Sequence, residues 1–345
     1  MEKKTRVEAL VKIDKNSNIL IVGSSLDYSL EKCYFRNFKY LGYNNIEILS
    51  LDEKLIFKFL TRFNFSLFRI IYYFICRFLI KKLFNKKNYD LVIIFKGMQF
   101  DLKTLTYLKK KSSAKWVNIY TDNIFYLKSP TSTNLEVLNC IKFYDLYCLP
   151  YKGFLLDRLE KYKAKKKMFL PFGYDPFIHK IQKKNSYNKI INFIGSFDSH
   201  RLSIINNIKK YSINIYGNGW SFKKIFNHNN NNFIFKKKLS SIIGGSAISI
   251  NILRQQDVGS HNMKTFEIPA MGGLMLTTRS SEQNNFFPEN KGCFMFDGTK
   301  ELEKKIEYIL NNPKIAKKVR IKGIKLSKFH AYYSRINNIL KTINI

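Results

Sequence analysis

Two consecutive α/β domains, each a parallel sheet covered by helices on both faces, are what this sequence predicts. Three observations carry the reading. Apolar runs of strand length alternate with helix-length amphipathic stretches along the chain. The alternation pauses at a Pro- and Gly-bearing connector, PFGYDP at residues 171–176, and then restarts. The 345 residues are too many for one small core and suit two domains with a cleft between them. The expected division is 1–178, 179–330, and a closing helix over 331–345 that packs back on the first domain.

In the first domain, residues 18–23 (NILIVG) read as a buried strand ending in a Gly-Ser turn. A helix over 29–41 and a strand over 46–51 follow. Strands are expected at 91–96 (LVIIFK), 116–121 (WVNIYT) and 146–149, with a helix over 102–111. Near-continuous apolar strands are the mark of a sheet buried on both faces. Residues 55–84 stand apart, being rich in Phe, Ile and Leu with only basic charges. Such a helix can lie in an anionic membrane interface, its Lys and Arg on lipid phosphates. It can equally pack on the sheet with a few solvated charges. Either way it is not a span.

The second domain restarts with a strand at 190–195 (IINFIG), a helix over 202–210 and a strand at 213–216. Further strands are expected at 233–235 and 247–253. A short helix in 262–271 stops at Gly272 and Gly273 and runs into a strand at 274–278. Residues 300–310 form an amphipathic helix punctuated by Asn312-Pro313.

A hydrophobic content of 45% excludes a disordered chain. The net charge of +35 has two readings: a Lys/Asn/Ile-rich genome bias, visible in the Asn run 229–232, or anionic partners such as membranes and phosphorylated substrates. The five Cys are scattered without CxxC pairing, which argues against a zinc site or disulfide framework and for a reducing cytoplasm. Neither a signal-peptide core nor an uncharged run long enough to span a bilayer is present. Charge alone would support a nucleic-acid-binding protein. No nucleic-acid-binding signature accompanies it, so nucleic acid is not the expected partner.

Several segments carry chemistry. FIGSFDSHR (193–201) ends a strand at Gly195-Ser196 and opens a helix, so its amides and Arg201 can meet a phosphate. Neither this turn nor VGSSLD after the first strand is a GxGxxG fingerprint, and the NAD reading loses support. In YGNGW, Gly217 permits a tight turn, and Trp220 either borders a base or simply packs. The stretch 251–267 gathers Arg254, His261, Asn262, Lys264 and Glu267 between a buried strand and a helix. A carboxylate there can accept two hydrogen bonds from the vicinal hydroxyls of a ribose, and Lys264 can neutralise a leaving diphosphate. On the acceptor side, Asp27 and Asp122 follow the first and fourth strands. Each is a candidate general base or acceptor contact, with a turn or helix cap as the plain alternative.

The motifs FIGSFDSHR, IYGNGW, NMKTFEIPAMGG, TKELEKKIEYILNNP and FHAYYSRINNIL occur in that order. From about residue 191 to 340 the chain resembles the C-terminal domain of GT-B glycosyltransferases related to the CgeB spore-maturation protein. The first half matches more thinly, through its first strand and turn, WVNIYTDN and PFGYDP. The resemblance implies two Rossmann-like domains facing a central cleft. It implies a nucleotide-sugar donor on the second domain, with no cofactor and no required metal, because basic side chains and a helix dipole hold the diphosphate. It implies a glycan, lipid-linked or protein acceptor on the first, and cell-surface glycan synthesis is the expected role. The expected location is the cytoplasm, with the inner face of the cytoplasmic membrane as a peripheral site that the basic segment would favour. Two positions depart from the family pattern. Lys264 stands where Arg is usual, and Gly259 where many retaining relatives have a second Glu. A scaffold that has lost catalysis is therefore an alternative.

Overall fold

The structure is a computed structural model that describes residues 12–51, 65–126, 134–182, 188–220, 228–231 and 233–344. It contains two compact units. Residues through Leu170 together with Ile336–Ile345 form the first, and Pro171–Arg335 form the second.

The first unit holds β1 (Ile19–Gly23), β2 (Ile46–Ser50), β3 (Leu91–Phe95), β4 (Lys115–Ile119), β5 (Leu146–Leu149) and β6 (Lys167–Phe169). They lie in the order β2-β1-β3-β4-β5-β6, each pair parallel. The sheet is buried on both faces, which is why β3 reads LVIIF with no polar position. Helix α1 (Leu30–Tyr40) starts where the Ser29 side chain accepts from the Lys32 amide, and it buries Cys33, Tyr34 and Phe38. Helix α2 (Phe65–Phe84) packs Tyr72, Cys76, Ile80 and Phe84, one residue in four, into the core. The start of the basic segment, 55–64, lies outside the described residues. Helix α3 (Leu102–Lys111) is capped by Asp101. Trp116, stacked on Phe84 and edge-on to Phe143, fills the middle of this core.

The second unit holds β7 (Asn188–Ile194), β8 (Asn214–Tyr216), β9 (Asn229–Asn231), β10 (Ser246–Asn251), β11 (Met275–Thr278) and β12 (Phe294–Phe296). Their order is β12-β11-β10-β7-β8-β9, again all parallel. Two elements differ from expectation. The strand foreseen at 233–235 is formed instead by the polar run Asn229–Asn231, where the Asn229 side chain bonds that of Asn214 across the edge pair. Phe235 is extended and is the residue that opens the next helix. The helix foreseen over 202–210 begins earlier, at Ser199, where Asp198 caps it, and ends at Asn206. The amides of Lys209 and Lys210 donate to Glu303 instead of continuing it.

A buried arginine ties this unit together. Arg320 lies on a helix covering Pro313–Ser327 and donates to the carbonyls of Gly244, Gly272, Ser246 and Ala247 at 2.7–3.3 Å. Gly244 sits in the last turn of the helix Lys236–Gly245, where carbonyls run out of intrahelical donors. Among the described residues no helix is long and apolar enough to cross a membrane. All five Cys are buried free thiols.

Candidate functional site

Topology marks the site before any side chain does. In the second sheet the chain steps outward from β7 to β8 to β9, then returns to the other side of β7 to lay down β10. In open parallel sheets, ligands bind beyond the strands' carboxyl ends where the order reverses. At this reversal β7 runs into Gly195-Ser196, and β10 runs into the loop and helix that carry Arg254 to Glu267.

The turn after β7 is braced by the turn after β8. The Gly195 amide donates to Tyr216 O at 2.9 Å, the Phe197 amide to Asn218 O at 2.8 Å, and Trp220 Nε1 to Gly195 O at 2.8 Å. Gly217 is pressed against this turn, and a Cβ there would come 2.1 Å from Gly195 O. Only glycine fits. Trp220 is fully buried, edge-on to Phe193 and Phe197. It is the packed Trp of the two readings: its ring has no open face with which to border a base. Ser196 is exposed at the tip. Gly217→Ala is expected to force the two turns apart at a cost of about 2–4 kcal/mol, read as a lowered melting temperature together with lost affinity for any ligand on Ser196.

Arg201 sits in the first turn of the helix Ser199–Asn206 and is buried. Its Nε donates to Ile252 O at 3.0 Å and its Nη1 to Ser196 O at 3.1 Å, so it joins the ends of β7 and β10. Burial, and then the charge of Arg254, lower its guanidinium to about 10. The carboxylates of Asp198 and Asp257 oppose that shift only in part, so the two guanidiniums leave a locus that a further anion stabilises.

Glu267 lies on the helix Met263–Ala270. Asn262 caps this helix in a reciprocal box with Thr265. Behind the cap runs a buried network in which the Asn262 and Asn251 amides bond each other, and Gln283 accepts from Thr265 and Thr277. The network fixes the helix to the ends of β10 and β11. Glu267 is 2% exposed. One carboxylate oxygen pairs with Lys264 Nζ, and the other lies 3.8 Å from His179 Nε2. Burial on its own would raise this carboxyl, but Lys264 and His179 outweigh it and hold the group below its ordinary value. Glu267 is thus an ionised, acceptor-only carboxylate at neutral pH.

The connector supplies one residue that sequence reasoning missed, His179. His179 accepts the Asp175 amide on Nδ1 at 3.0 Å, which leaves its proton on Nε2, facing Glu267. His261 is fully buried. It accepts the Phe172 amide on Nε2 at 3.1 Å and donates from Nδ1 to Glu282 at 2.7 Å. Its ring therefore anchors the connector beneath the Glu267 helix. Only the placement of His179 just beyond the PFGYDP run was available as a signal.

His330 lies among the rings of Phe266, Phe286 and Phe287, and its Nδ1 accepts from Arg335 at 3.0 Å. Burial, then the charges of Arg335 and His261, push its pKa from 6.5 down to about 4. Between those values the unfolded chain binds more protons than the folded one. Stability is therefore complete above the unfolded pKa and falls as pH drops toward the folded one. Melting temperature is expected to decline across that window, and His330→Gln to flatten the decline. Calorimetric melts across a pH series check this.

In the first unit the equivalent turn is closed. Glu31 reaches back from α1, and its carboxylate accepts the Ser24 amide at 3.0 Å, occupying the place an anion would take. Asp122 is 15% exposed beyond β4 and ion-paired with Lys96. Lys96 has a φ of 57° at the end of β3, and its carbonyl accepts from Asn118 at 3.2 Å. Asp27 lies in the loop after β1, is 54% exposed, and stands 4.0 Å from Arg36. Among the described residues, no group of three or more His, Cys, Asp or Glu is arranged to hold a metal ion.

The fold is GT-B: two Rossmann-like units in one chain. Sucrose-phosphate synthase from Thermosynechococcus elongatus aligns at a TM-score of 0.69 and 10% identity, over 95% of this chain and 99% of that one. HepE from Anabaena, solved in complex with UDP-glucose, aligns at 0.64 and 9% identity, over 95% and 99%. A glycosyltransferase from Rickettsia africae aligns at 0.62 and 16% identity, over 95% and 98%. At such identities the likeness is one of fold. Residues 201–341 match a family model described as glycosyl transferase-like, which takes in Arg201, Arg254, Lys264 and Glu267. Curated protein sequences gave no match.

Proposed function

We propose that this chain transfers a sugar from a nucleoside diphosphate sugar to an acceptor hydroxyl. One observation carries the reading: an ionised, buried carboxylate, Glu267, paired with Lys264, lies on the helix that follows β10 at the reversal of the second sheet, where Arg201, which feels the charge of Arg254, ties the ends of β7 and β10 together. Glu267 accepts the ribose hydroxyls. Ser196, Arg201, Arg254 and Lys264 take the diphosphate, while Gly195, Gly217 and Trp220 shape its turn, and Asn262 and His261 hold the helix. In the reaction the acceptor oxygen bonds to the anomeric carbon, and the bond from that carbon to the diphosphate oxygen breaks. The electron pair leaves with the diphosphate, whose charge the basic side chains meet. The acceptor is assigned to the first unit, with Asp122 as the candidate group to receive the hydroxyl proton. The exposed Asp27 is the second candidate.

Basic groups take the place of a metal in this reading. The ordered motifs from 193 to 340 support a CgeB-related branch acting on a glycan, lipid-linked or protein acceptor. HepE and TarM, solved with UDP, and the pneumococcal O-GlcNAc transferase GtfA, solved with UDP and GlcNAc, make uridine donors the first to test. The test is nucleoside diphosphate release from a panel of UDP-, GDP-, dTDP- and CDP-sugars, with cell-surface glycan extract as acceptor source. Consumption of one donor class supports the reading. Neither turnover nor binding of any of them would favour a scaffold.

A further inference from the structure

Helix α2 presents two faces of different kinds. Tyr72, Cys76, Ile80 and Phe84 are buried in the core of the first unit. The opposite side leaves Ile70 67%, Ile71 45%, Phe74 70% and Phe78 57% exposed, one stripe of large apolar side chains at helical spacing. Single exposed apolar residues are ordinary, but a contiguous stripe on one helix is not. Lys81 and Lys82 in the last turn follow the stripe, and Lys82, Lys86 and Lys87 are exposed. No Asp or Glu occurs anywhere from residue 54 to residue 89. Glu47 pairs with Lys87, and Asp101 pairs with Arg77 and feels the charge of Lys81, so Lys82 and Lys86 are the cluster's main outward charges. An apolar ridge that ends in such a cluster matches the boundary of an anionic bilayer.

We propose that this face of α2 seats the protein on an anionic lipid surface, with Ile70, Phe74 and Phe78 entering the acyl boundary and the lysines on the lipid phosphates. The complementarity in charge favours lipid over a second copy of the chain, whose own basic stripe would be repelled. The proposal stands apart from the glycosyl-transfer reading and survives or fails without it.

The experiment is co-sedimentation with vesicles of phosphatidylcholine alone and of phosphatidylcholine with phosphatidylglycerol, using the full chain. Wild type is expected to bind the anionic vesicles and not the neutral ones. Phe74→Ser combined with Phe78→Ser is expected to weaken partitioning more than about tenfold. Lys81→Gln combined with Lys82→Gln is expected to weaken it and to reduce its salt dependence. Phe74, Phe78 and Lys82 are exposed and Lys81 is half-buried, and melting curves matching wild type establish that both variants fold. Failure of wild type to bind anionic vesicles overturns the proposal. So does undiminished binding by the Phe74/Phe78 variant. A wild-type dimer in sedimentation velocity that this variant dissociates, without vesicle binding, would assign the stripe to a second copy.

Discussion

Glu267→Ala is expected to lower kcat/KM for the nucleotide sugar by about two to three orders of magnitude, since hydrogen bonds to a charged acceptor contribute about 1.5–3 kcal/mol each. The loss follows from the geometry. Glu267 is buried on a capped helix, and its two oxygens face Lys264 and His179. A ribose whose two hydroxyls donate to this carboxylate replaces a side-chain partner with two bonds of fixed direction. The isosteric Glu267→Gln keeps one acceptor oxygen and loses the charge, so it is expected to fall between wild type and Ala. The stability cost should be modest. Lys264 is 23% exposed and can turn to water once its partner is gone. Steady-state kinetics with folding checked by melting separates these effects. Activity within threefold of wild type in Glu267→Ala would remove the residue from the site.

Arg320→Ala is expected to have the largest effect on stability, about 3–5 kcal/mol, as for other buried charged groups stripped from their partners. One guanidinium satisfies four carbonyls from three segments: the end of the helix Lys236–Gly245, the start of β10, and the Gly272 turn after the Glu267 helix. Removing it leaves those acceptors buried without a donor. In a unit of this size the fall in melting temperature is roughly 10 °C. Arg320→Lys keeps the charge but not the forked donor geometry, and should recover only part of the loss. Scanning calorimetry reads both. A shift under about 2 °C for the Ala variant would mean that water replaces the guanidinium, and the claimed tie would be wrong.

The long elements were readable because their physics is local. Apolar runs such as LVIIF give buried parallel strands, and α1 shows its cap and apolar spacing directly. The basic segment announced an unusual helix, although only the structure separates its buried residues from its exposed ones. What sequence reasoning misplaced or missed depends on partners far along the chain. Asn229–Asn231 forms a strand because the edge of β8 is offered to it, against its own low propensity. The short β12 and the helix Ser281–Phe286 are held by tertiary contacts. In the site, a polar segment from Arg254 to Glu267 was visible as such. That Arg201 bonds the carbonyl of Ile252, that Gln283 underpins the Glu267 helix, and that His179 faces its carboxylate are consequences of the strand order alone. The Trp of YGNGW looked equally suited to a base or a core, and the decision lay in the 2.8 Å bond to Gly195 O.

The most direct test of the central claim, that Glu267 reads the ribose of a nucleotide donor, is isothermal titration of the protein with nucleoside diphosphates and their 2′-deoxy counterparts. The expected result is that one ribonucleotide class binds, that its 2′-deoxy form binds at least about tenfold more weakly, and that Glu267→Ala binds both alike. Equal affinity of wild type for the two forms, or binding that Glu267→Ala leaves intact, would contradict it.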